Sequence, residues 1–384
     1  MIEELFFELI KVAIGERVCL SHTPSADEWG KLYAMAKKQT LVGVCFAGVL
    51  KLATSTGSAT EQRQEPPEML YLTWMGMAAK IQQRNETVNR QCVELQKRLA
   101  DEGIGSSVLK GQGVATAYTS RSTCSGQADG SAQVGDLSLL RQSGDIDLYV
   151  DCGMQRALEY VQKVAPTNEV NHKHVQLHCF DDTEVELHYI PAELHCPWQN
   201  RHLQKFFAEW NGKERVALAS GQKIAVPCVE FQVVHLMTHA YRHLFGDGIG
   251  LRQVMDLYFV LLGLPASVDK EAIKKTVSDA GMDRFAAAMM WVLNRVFGLG
   301  MIGIPWVPNP RDGQFLLSEI MMAGNFGHYD ERIDRKGESR GHRFLRVTKQ
   351  NWRLLRFSPW EVVCTPVCRI WHFVWMRRRG FTQG

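Results

Sequence analysis

The chain has 384 residues, 45% of them hydrophobic, and a net charge of +3 at neutral pH. That is ample length for a real core and two or three domains, and the near balance of charge argues neither for nor against nucleic acid. Its longest apolar run, Leu41 to Leu50, is far short of the roughly 20 residues a membrane span takes, and its ten cysteines are scattered without paired spacing or a secretory leader, so a soluble cytoplasmic protein with reduced thiols is expected.

Residues 1 to about 102 read as helical. Met1 to Ile10 and Glu28 to Leu52 carry apolar residues at three- and four-residue spacing. Thr54 to Pro67 is polar and ends in Pro66-Pro67, which predicts a loop. Met69 to Gly103 then reads as one or two helices. Next, Ser107-Val-Leu-Lys-Gly-Gln-Gly113 predicts an apolar strand running into a glycine turn, and Val114 to Tyr118 suits a helix start. Strand, glycine turn and helix start together offer backbone N–H groups to a phosphate, and Lys110 adds a point charge. Thr119 to Asp136 looks like an inserted loop.

Arg141-Gln-Ser-Gly-Asp-Ile-Asp-Leu-Tyr-Val150 is the most informative stretch. As a strand edge, it places Asp145 and Asp147 on one face and turns Ile146 and Leu148 into a core. Two such acids repel each other, and a hard divalent cation such as magnesium is their natural occupant. Removing one of the two charges is therefore expected to leave the metal-free fold intact or slightly steadier. A helix is predicted over 154–164, and 172–180 reads as a strand pairing with 184–189 through the Asp181-Asp182 turn. In Thr183-Glu-Val-Glu-Leu-His-Tyr189, alternation sets Glu184, Glu186 and His188 on one face, supplying the third carboxylate that a two-metal phosphoryl-transfer site requires. From about 201 to the end the pattern is helical, broken by Gly298 to Pro310.

With Leu109-Lys110-Gly111, Arg141 with Gly144-Asp145-Ile146-Asp147-Leu148, and Glu186-Leu187-His188, the chain resembles bacterial nucleotidyltransferases of the DNA polymerase β-like superfamily. The resemblance continues loosely in His239-Ala-Tyr-Arg-His243 with Arg252 and Asp256. It implies an α+β fold, a small mixed-sheet palm at 103–200 between helical regions at 1–102 and 201–384. It also implies in-line attack on the α-phosphate of a nucleoside triphosphate by a hydroxyl acceptor, with release of pyrophosphate. Asp145, Asp147 and Glu186 would hold two Mg2+ ions, with Mn2+ as a substitute. Lys110, Gly111, Gln112, Arg141 and Gly144 would contact the nucleotide. His188, His239 and His243 would stand behind the metal ligands or against the nucleotide. Gly111-Gln112 departs from the usual glycine-serine, and Arg141 fits either a phosphate or a neighbouring acid.

His172, His174, His178, Cys179, His195 and Cys196 lie close in sequence but lack zinc-site spacing. His174 and His178 would share a face of the predicted strand. The tail from Arg332 to Arg379 interleaves arginine with Trp352, Trp360, Trp371 and Trp375. That composition suits a nucleic-acid or membrane surface, or a plain helical domain with a basic rim. Two functional readings stand: a working transferase acting on a small molecule, sugar or protein hydroxyl, and a non-catalytic nucleotide-binding or scaffold protein on the same fold. A nucleic-acid polymerase is disfavoured by the modest charge and the lack of an RNA-binding module.

Overall fold

Four helices open the chain, and the run expected as helical over Glu28 to Leu52 is divided into two of them where Thr40 takes φ 57°. They are α1 (Ile2–Ala13), α2 (Ala26–Lys38), α3 (Val42–Thr54) and α4 (Glu68–Asp101). Ser25 and Glu28 close a capping box on α2, satisfying backbone donors that the first turn leaves open. α3 is buried along nearly its whole length because α1 and α4 pack on it. The segment expected as one or two helices is a single helix of 34 residues, stopped where Gly103 takes φ 68°. These elements belong to a computed structural model that describes residues 2–54, 64–119, 136–246, 248–300, 306–330, 332 and 340–382.

A four-stranded mixed sheet follows, in the order β1 (Ser106–Val108), β2 (Ile146–Val150), β4 (Val185–His188), β3 (His174–Gln176). β1 and β3 run antiparallel to their neighbours, and the central pair β2–β4 is parallel. The sheet arises because Ile146, Leu148, Val150, Val185 and Leu187 alternate with polar residues. Their apolar face buries against α7 (Gly153–Val164) and the second half of α4, through Val88, Cys92, Leu95 and Leu99. The first half of α4, with Trp74, Ala78 and Ile81, belongs to a second, helical core instead. One continuous helix therefore joins both cores.

After α8 (Pro197–Glu209), the all-helical expectation fails. β5 (Lys213–Ala217) and β6 (Lys223–Pro227) form an antiparallel hairpin turning at Gly221, φ 81°. Ile224, Val226 and Leu218 bury in the sheet's core, and the Gln96 side chain holds Ala225 by both backbone groups, at 2.8 and 2.9 Å. Short alternating strands of this kind were hidden between two strongly helical patterns. The other correction concerns 172–180, where only His174–Gln176 is a strand.

The remaining helices are α9 (Val229–Phe245), α10 (Leu251–Leu262), α11 (Lys270–Asp279), α12 (Asp283–Phe297), α13 (Pro310–Ala323), α14 (Arg340–Asn351) and α15 (Pro359–Arg379). α5 (Gln112–Ala115) and α6 (Leu137–Leu140) are single turns beside the sheet. α9, α10 and α12 share the helical core with α1 and α3, and α1 packs directly on α12. Among the described residues no helix is long and apolar enough to cross a membrane. Residues 120–135, most of the expected insertion, lie outside the described residues.

Candidate functional site

The parallel register of β2 and β4 sets Asp147 directly opposite Glu186, 39 positions further along the chain. Asp145 sits just before β2, and oxygens of Asp145, Asp147 and Glu186 all lie within 4.8 Å of one another. Asp147 is only 2% exposed, because this face of the sheet is covered by α9, whose Phe231 packs on Tyr149. Three carboxylates gathered in such a place repel one another strongly unless cations intervene. Two protein cations do. Lys110 Nζ lies 2.9 Å from Asp147 Oδ2 and 3.4 Å from Asp145 Oδ2. His188 Nε2 lies 2.9 Å from both Asp147 Oδ1 and Glu186 Oε2.

The electrostatics follow from these contacts. Burial pulls the Lys110 ammonium down, but the charges of Asp147, Asp145 and Glu186 outweigh it and hold the group above the usual lysine range. Burial also opposes charge on His188, yet hydrogen bonds to Asp147 and Glu186 push it up to about 9. Against burial, Lys110 and His188 keep the Asp147 carboxyl below its ordinary value. Glu186 is lowered to about 2, with burial opposed by His188 and His174. Gln176 Nε2 donates to its other oxygen at 3.0 Å, which fixes the carboxylate plane. His174 Nδ1 stands 3.4 Å from Glu186, and burial with the nearby His188 charge lowers that imidazole to about 3.

Gly111, between Lys110 and Gln112, has φ 63° and ψ −114°, a conformation that only glycine adopts cheaply. Gly113 is required for a different reason, since a Cβ there would stand 2.5 Å from the Val108 carbonyl oxygen. The turn is thus pressed against the end of β1 and carries Lys110 over the acids. Gln112 points away from the cleft, and its amide bonds Asn89 of α4 at 2.5 Å. Arg141 Nε and Nη2 meet Asp256 at 2.6 and 2.7 Å, and both residues line the pocket that holds Lys110, Gly111 and Asp145. Tyr118 donates to the Asp256 carboxylate at 2.8 Å. Arg252 lies beside Gly111, Gly144 and Asp145, holds the Gln142 carbonyl at 2.9 Å, and has a buried Nε without a hydrogen bond.

A cleft of about 350 Å³ opens from the acids toward α9 and α15. His235, His239 and His243, spaced four apart on α9, line it, and the Nε2 atoms of His239 and His243 are 3.1 Å apart. Burial lowers His235 to about 3, and His239 well below its ordinary value, aided by His188 and His243 respectively. Lys173, Arg242 and Arg369 also line the cleft, with Glu193 among them. Arg369 comes from α15, a contribution that no local motif signals. His235 and Arg242 were legible in part, as helical neighbours of His239.

The other clustered histidines disperse. His178 turns outward to Glu169 at 3.3 Å and does not share the cleft with His174. His172 pairs with Glu193 at 2.6 Å, and His195 with Arg242 and Thr365. The nine described cysteines are free thiols.

Three carboxylate oxygens in reach of one another make a hard donor set that fits Mg2+ or Mn2+. The chain belongs to a family described as uncharacterised nucleotidyltransferase, whose model matches residues 25–123 and 131–298. The interruption at 124–130 falls inside the stretch expected as an insertion. No curated protein and no solved structure matches the chain.

Proposed function

We propose that the protein transfers a nucleoside monophosphate from a nucleoside triphosphate to a hydroxyl acceptor, releasing pyrophosphate, on a polymerase β-like palm formed by the four-stranded sheet. The observation that carries this reading is the Asp147–Glu186 register. It brings the third carboxylate to the Asp145–Asp147 pair and leaves all three at the mouth of a cleft.

Asp145, Asp147 and Glu186 would hold the divalent ions, which when bound polarise the phosphate and lower the pKa of the attacking hydroxyl. The remaining work falls to the chain's own residues. Lys110 is placed to follow charge from the carboxylates onto the phosphate oxygens. The Gly111 turn brings backbone N–H groups close without a side chain in the way. Arg252 and Arg141 line one pocket with Gly111 and Asp145, and their guanidiniums suit the phosphates there. His188 and Gln176 hold Asp147 and Glu186 in orientation. Lys173, Arg242 and Arg369 give the cleft cations suited to the triphosphate tail or an anionic acceptor. Positioning and charge stabilisation suffice for such a transfer, so no nucleophilic side chain is required.

The test is thermal unfolding with each of the four ribonucleoside triphosphates, with and without magnesium, on wild type and Asp147→Asn. Magnesium-dependent stabilisation of wild type alone is expected, and the strongest shift names the preferred base. A folded protein that responds to none of the four would instead favour a scaffold role.

A further inference from the structure

α15 presents an apolar face to solvent. Trp360, Val363, Val367, Ile370, Trp371 and Val374 recur at three- and four-residue spacing, and each is between 40% and 66% exposed. The opposite face is the anchored one, where Glu361, Val362, Thr365 and Met376 are buried. Trp198 of α8, itself 51% exposed, packs edge-on against Trp360 and extends the patch. Monomeric proteins seldom leave such a stripe uncovered without a partner for it.

Charge decides what covers it. Glu361 is the one acid in α15, and it is fully buried, accepting from the His195 and Cys196 backbone and paired with Arg242. The solvent side therefore carries no carboxylate, while Arg377, Arg378 and Arg379 stand exposed at its C-terminal end. Two copies of this face laid together would bury the apolar stripe and leave those guanidiniums without counter-charges. Single-stranded nucleic acid would satisfy the arginines, but four of the six apolar side chains are aliphatic and offer no stacking surface. Acyl chains with anionic headgroups match both halves: aliphatic and indole groups enter the interface, and the arginine tips reach phosphate.

We propose that α15 is an interfacial helix that docks the protein on an anionic phospholipid surface. α15 lies outside the stretch that the family model matches. It also reaches the cleft through Arg369, so a docked protein would hold its candidate site near the lipid surface. The proposal is independent of the transferase reading, since its readout is lipid binding without nucleotide.

The experiment is co-sedimentation of the full chain with vesicles of phosphatidylcholine alone and of phosphatidylcholine mixed with phosphatidylglycerol. Binding to the anionic vesicles, weakened by salt, is expected. R377Q/R378Q should reduce it roughly thirtyfold, from about 1 kcal/mol per arginine near the surface. V367D/I370D should abolish it while leaving the thermal unfolding midpoint in place, because both side chains are solvent-exposed. Equal binding by V367D/I370D would overturn the proposal. So would failure of wild type to bind vesicles, whatever else it did. In that case a dimer dispersed by V367D/I370D would make the face a self-association surface, and an anisotropy shift with single-stranded RNA would make it a nucleic-acid surface.

Discussion

Asp147 shows how far a residue's role depends on its neighbours. From sequence it is one of two like charges, whose removal should relieve repulsion. In the folded chain it is a buried carboxylate between Lys110 and His188, and repulsion is already answered. Asp147→Asn is therefore expected to destabilise the metal-free protein by about 1–3 kcal/mol, the cost of breaking charged hydrogen bonds to buried partners. Chemical denaturation without metal measures this, and a midpoint at or above wild type would show that repulsion still dominates. Glu186→Gln keeps shape and loses charge. It should lower turnover by a hundredfold or so with little change in triphosphate affinity, since electrostatic groups of this kind act mainly on the transition state. A lower affinity with unchanged turnover would assign Glu186 to binding instead.

At the scale of elements, the glycine turn and the α12–α13 pair can each be tested by a single change. A methyl group at Gly113 would press on the Val108 carbonyl, so Gly113→Ala should cost about 1–3 kcal/mol by overpacking and shift Lys110 with the turn. Loss of stability without loss of triphosphate binding would separate the turn's packing from its placement of Lys110. Asp312 of α13, 1% exposed, accepts hydrogen bonds from Arg284 of α12, and these hold its carboxyl below the ordinary value. A group depressed on folding contributes stability that is complete above its unfolded value and disappears as pH falls through the folded one. The wild type should thus lose its advantage over Asp312→Asn below about pH 4, near the unfolded carboxyl value. Melting curves of the two proteins that stay parallel across that range would contradict the pairing.

Across the whole molecule, long-range ties decide what the cleft is made of. Glu361 of α15 accepts from the His195 and Cys196 backbone and pairs with Arg242 of α9, so three distant segments meet at one buried carboxylate. Glu361→Ala would leave Arg242 without that partner, at a cost of about 3–5 kcal/mol. It should release α15, read as faster hydrogen exchange over 359–379 with the sheet still protected. Uniform loss of protection would mean that α15 and the sheet unfold as one unit.

The acid pair, the glycine turn and the later Glu186-Leu187-His188 were legible because strand alternation and turn chemistry are local, and each survives any packing of the rest. The long α4 was legible for the same reason, as sustained helical spacing closed by a glycine. Three things were decided only in the tertiary structure. Arg141 paired with Asp256 at the edge of the pocket that holds Lys110 and Asp145, the β5–β6 hairpin joined the sheet's core, and Arg369 entered the site from the far end of the chain. Each depends on a partner more than 100 residues away or on a surface another element provides. Periodicity fixes which face a side chain occupies, and packing alone determines what that face meets.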